Sequence, residues 1–399
     1  MKTSQRTSNL PHLARRMDIL EPEGAYKILS KATELERQGR DIIHFEIGQP
    51  DFPTPKIIAE AGIQAIRDGK TKYGPTLGIH ELRSEIATYL NNSRNINVSE
   101  KQIAVTPSGK TAIFSTMSAI LEPGDEVIYP NPSFPTYQIM IDYLGAVRKP
   151  IPLLEENSFS FDMKVFRKLY SKKTKLVIIN SPSNPTGGVM PRKDLEEIRD
   201  TIRGTNTWVM TDELYAKIIY DNIDYTSFYS FKDVHENTIL VDGFSKVYAM
   251  TGWRIGYISA PLRIMERLDY LLTHIASGTA TFTQYAAAAG LQGDQSYVRE
   301  MVEAFDERRK YIVQELNKIP GIKCATPEGA FYAFPNVKSF KKSSGEIADY
   351  LLEKGGVALL DGKFFGDYGE GYLRLSYATS MDNIKEGLGR IMKALAELK

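Results

Sequence analysis

Lys246 and Arg254 stand eight residues apart in the segment Asp242–Tyr257, DGFSKVYAMTGWRIGY. An apolar, β-rich run, Thr238–Asp242, precedes the lysine and predicts a buried strand. A lysine placed where such a strand opens into a loop loses hydration. That loss lowers the ammonium pKa and leaves an amine able to attack carbonyls. A guanidinium nearby can grip a phosphate with two parallel N–H donors. Together they suit a small aldehyde that carries a phosphate and is held as a Schiff base. Most lysines are solvated surface charges, so the pair gains meaning only from what the neighbouring strands carry.

Those strands carry polar residues at matching ends. Leu176–Asn180 is followed by Ser181-Pro-Ser-Asn184-Pro-Thr-Gly-Gly188, and Thr207–Thr211 by Asp212-Glu213-Leu214-Tyr215. Gln102–Thr106 is followed by Pro107-Ser108-Gly109-Lys110-Thr111, which opens a helical pattern. In open α/β sheets ligands bind beyond the carboxyl ends of the strands, so four strands aim chemistry at one edge. The set fits pyridoxal 5'-phosphate. Asp212 is the candidate carboxylate that keeps the pyridine nitrogen protonated. Asn184 and Tyr215 are donors for the phenolate oxygen. Ser108, Gly109 and Lys110 lie at a helix N-terminus, where backbone N–H groups bind phosphate, and Arg254 adds charge. Phe134, in Asn131-Pro-Ser-Phe-Pro-Thr-Tyr137, is a ring to stack on the cofactor. Taken singly, a strand-end aspartate or an Asn-Pro-Thr-Gly run is just as well a turn.

The elements that must position these residues alternate. Between about residues 55 and 295, strand patterns (Gln102–Thr106, Asp125–Tyr129, Leu176–Asn180, Thr207–Thr211, Thr238–Val241, Ile255–Ser259) are interleaved with helical ones such as Lys193–Arg203. That order predicts an α/β domain with a mostly parallel sheet. A long helical pattern over Ser296–Lys318 leads to short strands, Ala330–Phe334 and Tyr372–Tyr377, alternating with the helices Ser344–Lys354 and Met381–Leu398. The expected organisation is an N-terminal arm with part of a small domain (1–50), a large domain (51–295) and a small α+β domain (296–399).

Composition narrows the function classes. The 399 residues carry 50 Lys+Arg against 49 Asp+Glu, a net charge of +1. No strong field favours nucleic acid or an acidic membrane. Cys324 is the single cysteine, so no intrachain disulfide can form and a reducing, cytoplasmic setting is expected. Five histidines without close pairing argue against a metal site. No run of 18 apolar residues predicts a membrane span, and MKTSQRTSNLPHLARRM lacks the apolar core of a signal peptide. Ser108-Gly109-Lys110-Thr111 looks like the end of a nucleotide-binding Walker loop, but Ala104 stands where that loop needs glycine.

The ordered stretches IGQPDFPTP (47–55), KYGPTLGIHELR (72–83), PSGKTAIF (107–114), NSPSNPTGG (180–188), TDELY (211–215), SKVYAMTGWRIGY (245–257) and GYLRLSYATS (371–380) resemble the class I and II aminotransferases of pyridoxal-phosphate fold type I, in particular the aspartate aminotransferase-like members, over nearly the whole chain. The resemblance implies that Lys246 is the Schiff-base lysine, Asp212 its pyridinium partner, and Asn184 and Tyr215 the phenolate contacts. Ser108, Gly109, Lys110 and Arg254 would surround the phosphate, and Tyr73 would reach that of a neighbouring subunit. Arg374 would clamp the substrate α-carboxylate, and Gly48 would keep the pocket mouth open. Family members are usually homodimers with shared active sites.

Two departures stand out. Gly243 occupies a position, three before the lysine, where many relatives have a phosphate-binding serine, which shifts that task to Ser245 or the backbone. Asp361-Gly362-Lys363-Phe364-Phe365-Gly366 replaces a common P-G-S-x-F-G, and an extra charge pair, Asp361 with Lys363, is expected beside the pocket. The expected reaction moves an amino group between an L-amino acid and a 2-oxo acid such as 2-oxoglutarate in ping-pong fashion. In one subgroup Lys110's position helps read a distal carboxylate, which favours aspartate. Aromatic amino acids come next, then a lyase, cyclase or oxidase of a specialised amino acid.

Overall fold

The computed structural model describes residues 13–398. The first twelve residues of the expected N-terminal arm lie outside them. Helix α1 (Gly24–Arg37) leads into the short strand β1 (Ile43–His44). Helices α2 (Lys56–Arg67) and α3 (His80–Arg94) come before strand β2 (Ile103–Thr106) and helix α4 (Gly109–Ile120). Then follow β3 (Glu126–Asn131), β4 (Val147–Pro152), β5 (Thr174–Asn180), β6 (Trp208–Asp212), β7 (Thr238–Gly243) and β8 (Gly256–Ser259). Beyond the helix Ser296–Leu316 lie β9 (Tyr332–Ala333), β10 (Val357–Ala358), β11 (Leu360–Asp361) and β12 (Leu373–Ser376), with a last helix at Met381–Glu397.

Strands β2 to β8 form one sheet in the order β2-β8-β7-β6-β5-β3-β4. All neighbours are parallel except β8, which runs antiparallel to both β2 and β7. The chain is thus α/β with a mostly parallel seven-stranded sheet. The central strands are apolar without alternation because helices cover both faces. Leu176, Ile178, Met210 and Ile239 pack with Ile113 and Met117 of α4 on one side. Val177, Ile179 and Val209 pack with Leu195 and Ile198 on the other.

Six strands of this sheet match the sequence patterns. The seventh, β4, does not, because its run VRKPIP carries two prolines. It is tolerated as an edge strand paired with β3 alone. The helix expected over Ser344–Lys354 is α-helical only to Tyr350. It loosens into a π-helical turn at Leu351–Gly355, and Gly356 reverses the chain at φ 64°.

The first and last parts of the chain meet. β1 pairs in parallel with β10, Ile43 opposite Val357. Ile28 and Ala32 of α1 pack with Leu352, Leu360 and Phe365. β12 lies between β11 and β9, antiparallel to both. No described helix is long and apolar enough to cross a membrane.

Candidate active site

The antiparallel turn of β8 explains why Lys246 and Arg254 share one end of the sheet. β7 runs toward that edge, the loop carries both cations, and β8 starts back from the same edge with Gly256 opposite Gly243. β5 and β6 stop beside it, Asn180 opposite Asp212. Together they floor a cavity of about 430 Å³. Every candidate residue from the sequence lines it except Tyr73: Gly48, Ser108, Gly109, Lys110, Phe134, Asn184, Asp212, Tyr215, Ser245, Lys246, Arg254 and Arg374. The Tyr73 ring is 94% exposed and takes no part in this chain's own cavity.

At the floor Asp212 is buried. The phenol of Tyr137 donates to its Oδ2 at 2.5 Å, and the Leu214 N–H to Oδ1 at 3.3 Å. Burial pushes its pKa up to about 6, against the pull of the Tyr137 hydrogen bond. A buried carboxylate held between neutral donors is a seat for a cationic nitrogen. Asn180 ties the two strand ends together, donating to the Asp212 carbonyl at 3.3 Å and accepting from the Asn184 N–H at 3.1 Å. Asn184 keeps its buried Oδ1 without a partner. The Tyr215 and Tyr332 hydroxyls are hydrogen-bonded at 2.7 Å.

Lys246 reaches from the side, donating from Nζ to the Gly48 carbonyl at 2.5 Å. Lost hydration lowers its pKa to about 8, with further help from the Arg374 charge. A share of the amine is therefore unprotonated near neutrality. A Cβ at Gly48 would run into the Tyr332 hydroxyl, so this glycine holds the carbonyl against the lysine.

The N-terminus of α4 forms one wall. Ser108 caps it, accepting the Thr111 N–H at 3.1 Å. A Cβ on Gly256 would stand 2.7 Å from the Gly109 nitrogen, so helix and sheet touch backbone to backbone. A Cβ on Gly243 would lie 3.0 Å from the Gly256 Cα and 3.3 Å from the Ile255 carbonyl. A side chain at 243 would therefore need the start of β8 to give by a few tenths of an ångström. Ser245 instead lines the cavity. Arg254 adopts a left-handed backbone, φ 55°, and donates from Nη1 to the Thr251 carbonyl at 2.8 Å.

Opposite these groups, Arg374 on β12 is 3% exposed. It donates to the Glu46 carbonyl, lies 4.6 Å over the Tyr332 ring, and leaves Nε without a partner. No carboxylate pairs with it among the described residues. A buried charge without its counter-ion costs about 3–5 kcal/mol, so this guanidinium is chemically suited to receive an anion. Glu46 is itself fully buried and joined to His44 Nδ1 at 2.8 Å. With Glu36 on the other ring nitrogen, the two carboxylates raise His44 to about 9, Glu46 most of all.

One expectation is corrected. Asp361 and Lys363 do not form a charge pair beside the pocket. Asp361 caps the turn Gly362–Phe365, accepting the Lys363 N–H at 2.9 Å and the Ser344 hydroxyl at 2.6 Å. The Lys363 side chain faces solvent and does not line the cavity. The segment's contribution is apolar: Phe365 lies 5.4 Å from the Arg374 guanidinium.

Tyr137, Glu46, Tyr332 and Glu23 belong to the site but are absent from the sequence-based set. Tyr137 follows Phe134 by one helical turn in a motif already singled out, a signal available in principle. The others are recruited from distant segments. Glu23, just before α1, pairs with Lys110, whose ammonium lies 5.6 Å from the Phe134 ring centre and 5.8 Å from that of Tyr26.

Comparison with known proteins agrees with this geometry. The family model for aminotransferase class I and II matches residues 40–391. A probable aspartate/prephenate aminotransferase of Aquifex aeolicus is 40% identical over 392 residues, 97% of this chain and 99% of the relative. The solved aspartate aminotransferase of Thermus thermophilus with maleate superposes with a TM-score of 0.92 at 33% identity, covering 96% of this chain and 100% of that one. An aromatic aminotransferase structure from Pyrococcus horikoshii gives 0.87 at 39% identity, with 92% and 99% coverage.

Proposed function

As the chain belongs to the class I and II aminotransferases, and is an enzyme that moves amino groups, we propose that it uses pyridoxal 5'-phosphate to transfer the amino group of L-aspartate to a 2-oxo acid such as 2-oxoglutarate. The observation that carries this reading is Arg374, a buried guanidinium with a free Nε, across one cavity from the softened amine of Lys246.

The cofactor, when bound, supplies an aldehyde for the amino group and an electron sink for the pair left at Cα. Asp212, with Tyr137 behind it, keeps a proton on the ring nitrogen. Asn184 and Tyr215 would hold the phenolate oxygen. Ser108, Gly109, Ser245 and Arg254, with the first N–H groups of α4, hold the phosphate. Phe134 would flank the ring. Lys246 would hold the cofactor aldehyde through Nζ, and its free amine would take the proton from the substrate Cα. Arg374 holds the α-carboxylate through two N–H donors and so fixes which Cα bond faces Lys246. One site serves both half-reactions, so donor and acceptor alternate in ping-pong order.

Tyr73 has its ring almost wholly in solvent. We assign it to the phosphate of a second copy, which makes the working unit a homodimer with shared sites. In the same reading residues 51–295 form the cofactor domain, and 296–399 with the N-terminal 1–50 form the small domain. The lone cysteine fits a cytoplasmic setting.

The aspartate preference is supported by Lys110 on the cavity wall and by likeness to the probable aspartate/prephenate aminotransferase of Aquifex aeolicus. Aromatic amino acids are the second reading, favoured by Tyr26 and Phe134 beside that lysine. The test is a panel of L-amino acids with 2-oxoglutarate, followed by the absorbance of the bound cofactor. Aspartate should show the highest kcat/KM. No turnover of any dicarboxylic amino acid would overturn the aspartate reading.

A further inference from the structure

Glu23 is the only carboxylate besides Asp212 that lines the described cavity, and unlike Asp212 it is partly exposed. Its carboxylate is joined to Lys110. The pair is partly buried, with 28% of the Glu23 side chain and 44% of the Lys110 side chain exposed. Glu23 is not a loosely hung surface acid. It occupies the N-cap of α1, and the next residue, Gly24, is pressed onto Phe364 so closely that a Cβ there would stand 2.5 Å from the ring. The Lys110 ammonium is boxed in by Glu23 and by the rings of Tyr26 and Phe134. The cation expected to read a distal carboxylate is therefore already satisfied by a carboxylate of the chain itself.

We propose that Glu23 is a specificity-determining residue: its carboxylate occupies the Lys110 ammonium in place of a substrate's distal carboxylate, so a dicarboxylic substrate must open an ion pair that an aromatic one leaves closed. This inference rests on the reading of Lys110 given above and deepens it. Its physical content is a competition. A substrate carboxylate gains the ammonium only by releasing Glu23, and the two anions repel across the same partly exposed box. The gain from Lys110 is reduced by whatever the pair is worth, while a ring packed on Tyr26 and Phe134 loses nothing. The pair narrows the preference for dicarboxylates and lets one cavity serve both acidic and aromatic side chains. Partly exposed pairs of this kind are weak individually, so the effect is a shift of preference and not an all-or-none gate.

The experiment compares the parent, Glu23→Gln and Lys110→Met as holoenzymes. It measures kcat/KM for aspartate and for phenylalanine with 2-oxoglutarate, and the equilibrium Kd of succinate, an unreactive dicarboxylate, by calorimetry. In Glu23→Gln the aspartate-to-phenylalanine ratio of kcat/KM should rise about two- to fivefold, and succinate should bind tighter by a similar factor. In Lys110→Met the ratio should fall. An unchanged or lowered ratio in Glu23→Gln, with Lys110→Met still selective against aspartate, overturns the present inference alone. Equal losses for both substrates in Lys110→Met overturn the Lys110 reading and this inference with it. Far-UV circular dichroism and cofactor content show whether a variant is folded. A misfolded Glu23→Gln is replaced by Glu23→Ser, for which the same outcomes hold.

Discussion

At one end of the cavity Asp212 is 4% exposed and takes its hydrogen bond from the fully buried phenol of Tyr137. At the other end Lys110 keeps much of its side chain in water and meets a glutamate delivered from the start of α1. Charges at the first end act through a medium poor in water, where each interaction is strong and its loss large. Charges at the second end are screened and in competition, so removing one shifts preference more than rate. The difference separates two tasks. In the proposed reading the floor, built from strand ends, would do the chemistry, and the mouth, built from a helix start and an N-terminal segment, would select the substrate.

The sharpest way to break this division is at Lys246. Lys246→Ala should lower multi-turnover transamination at least about a thousandfold in steady-state assays, while pyridoxal phosphate still binds without a covalent link. Retained turnover would place the reacting amine elsewhere. Asp212→Asn comes next. Single-turnover removal of the Cα proton should slow by about 10²–10³, with cofactor content nearly intact, and a loss under about tenfold, or 1.4 kcal/mol, would remove Asp212 from its assigned role.

A third test reads the floor by pH. With the Lys246 amine lowered to about 8, its neutral fraction climbs through that pH. The rate at which added pyridoxal phosphate joins the apoprotein should rise about tenfold from pH 7 to 9. An ordinary lysine would give about a hundredfold rise over the same span. Stopped-flow absorbance separates the two.

The smallest expected effect lies behind the floor, where Arg374 leans on Glu46 and Glu46 on His44. Folding raises His44 from its usual 6.5 to about 9, so the folded state holds this proton more tightly than the unfolded one. That stability is fully present below pH 6.5 and is lost as pH rises through 9. The melting temperature of the parent should exceed that of His44→Asn by about 1–3 °C at pH 6.5, and the gap should close by pH 9. A gap independent of pH would mean that the histidine acts only by packing.

The floor was the legible part of the molecule. β5, β6 and β7 announce themselves as apolar runs, and a polar residue directly after such a run must lie at the strand's end. Adjacent parallel strands then bring Asp212, Asn184 and Lys246 together without further information. The mouth was not legible. Glu23 meets Lys110 across 87 residues, and behind the floor, equally hidden, Arg374 reaches Glu46 across 328. No local period records such meetings, because they depend on how β1 pairs with β10 and how α1 then lies. β4 escaped for the opposite reason: its prolines argue locally against a strand, and only its edge position permits one. Lys363 misled because its charge is visible in sequence, whereas the direction of its side chain is set by the turn that Asp361 caps.

The contact among Gly109, Gly243 and Gly256 has a consequence for how this sequence can change. A side chain gained at 256 needs α4 to retreat, since its first atom would meet the Gly109 nitrogen. Retreat carries Ser108 and Lys110 with the helix, one from the floor's wall and one from the mouth. A side chain gained at 243 instead pushes on Gly256, and through it on the same helix. Positions 243 and 256 are therefore coupled, since a side chain gained at either presses on backbone that lies close only because the other is glycine, whereas one gained at 109 would meet the Leu214 side chain instead.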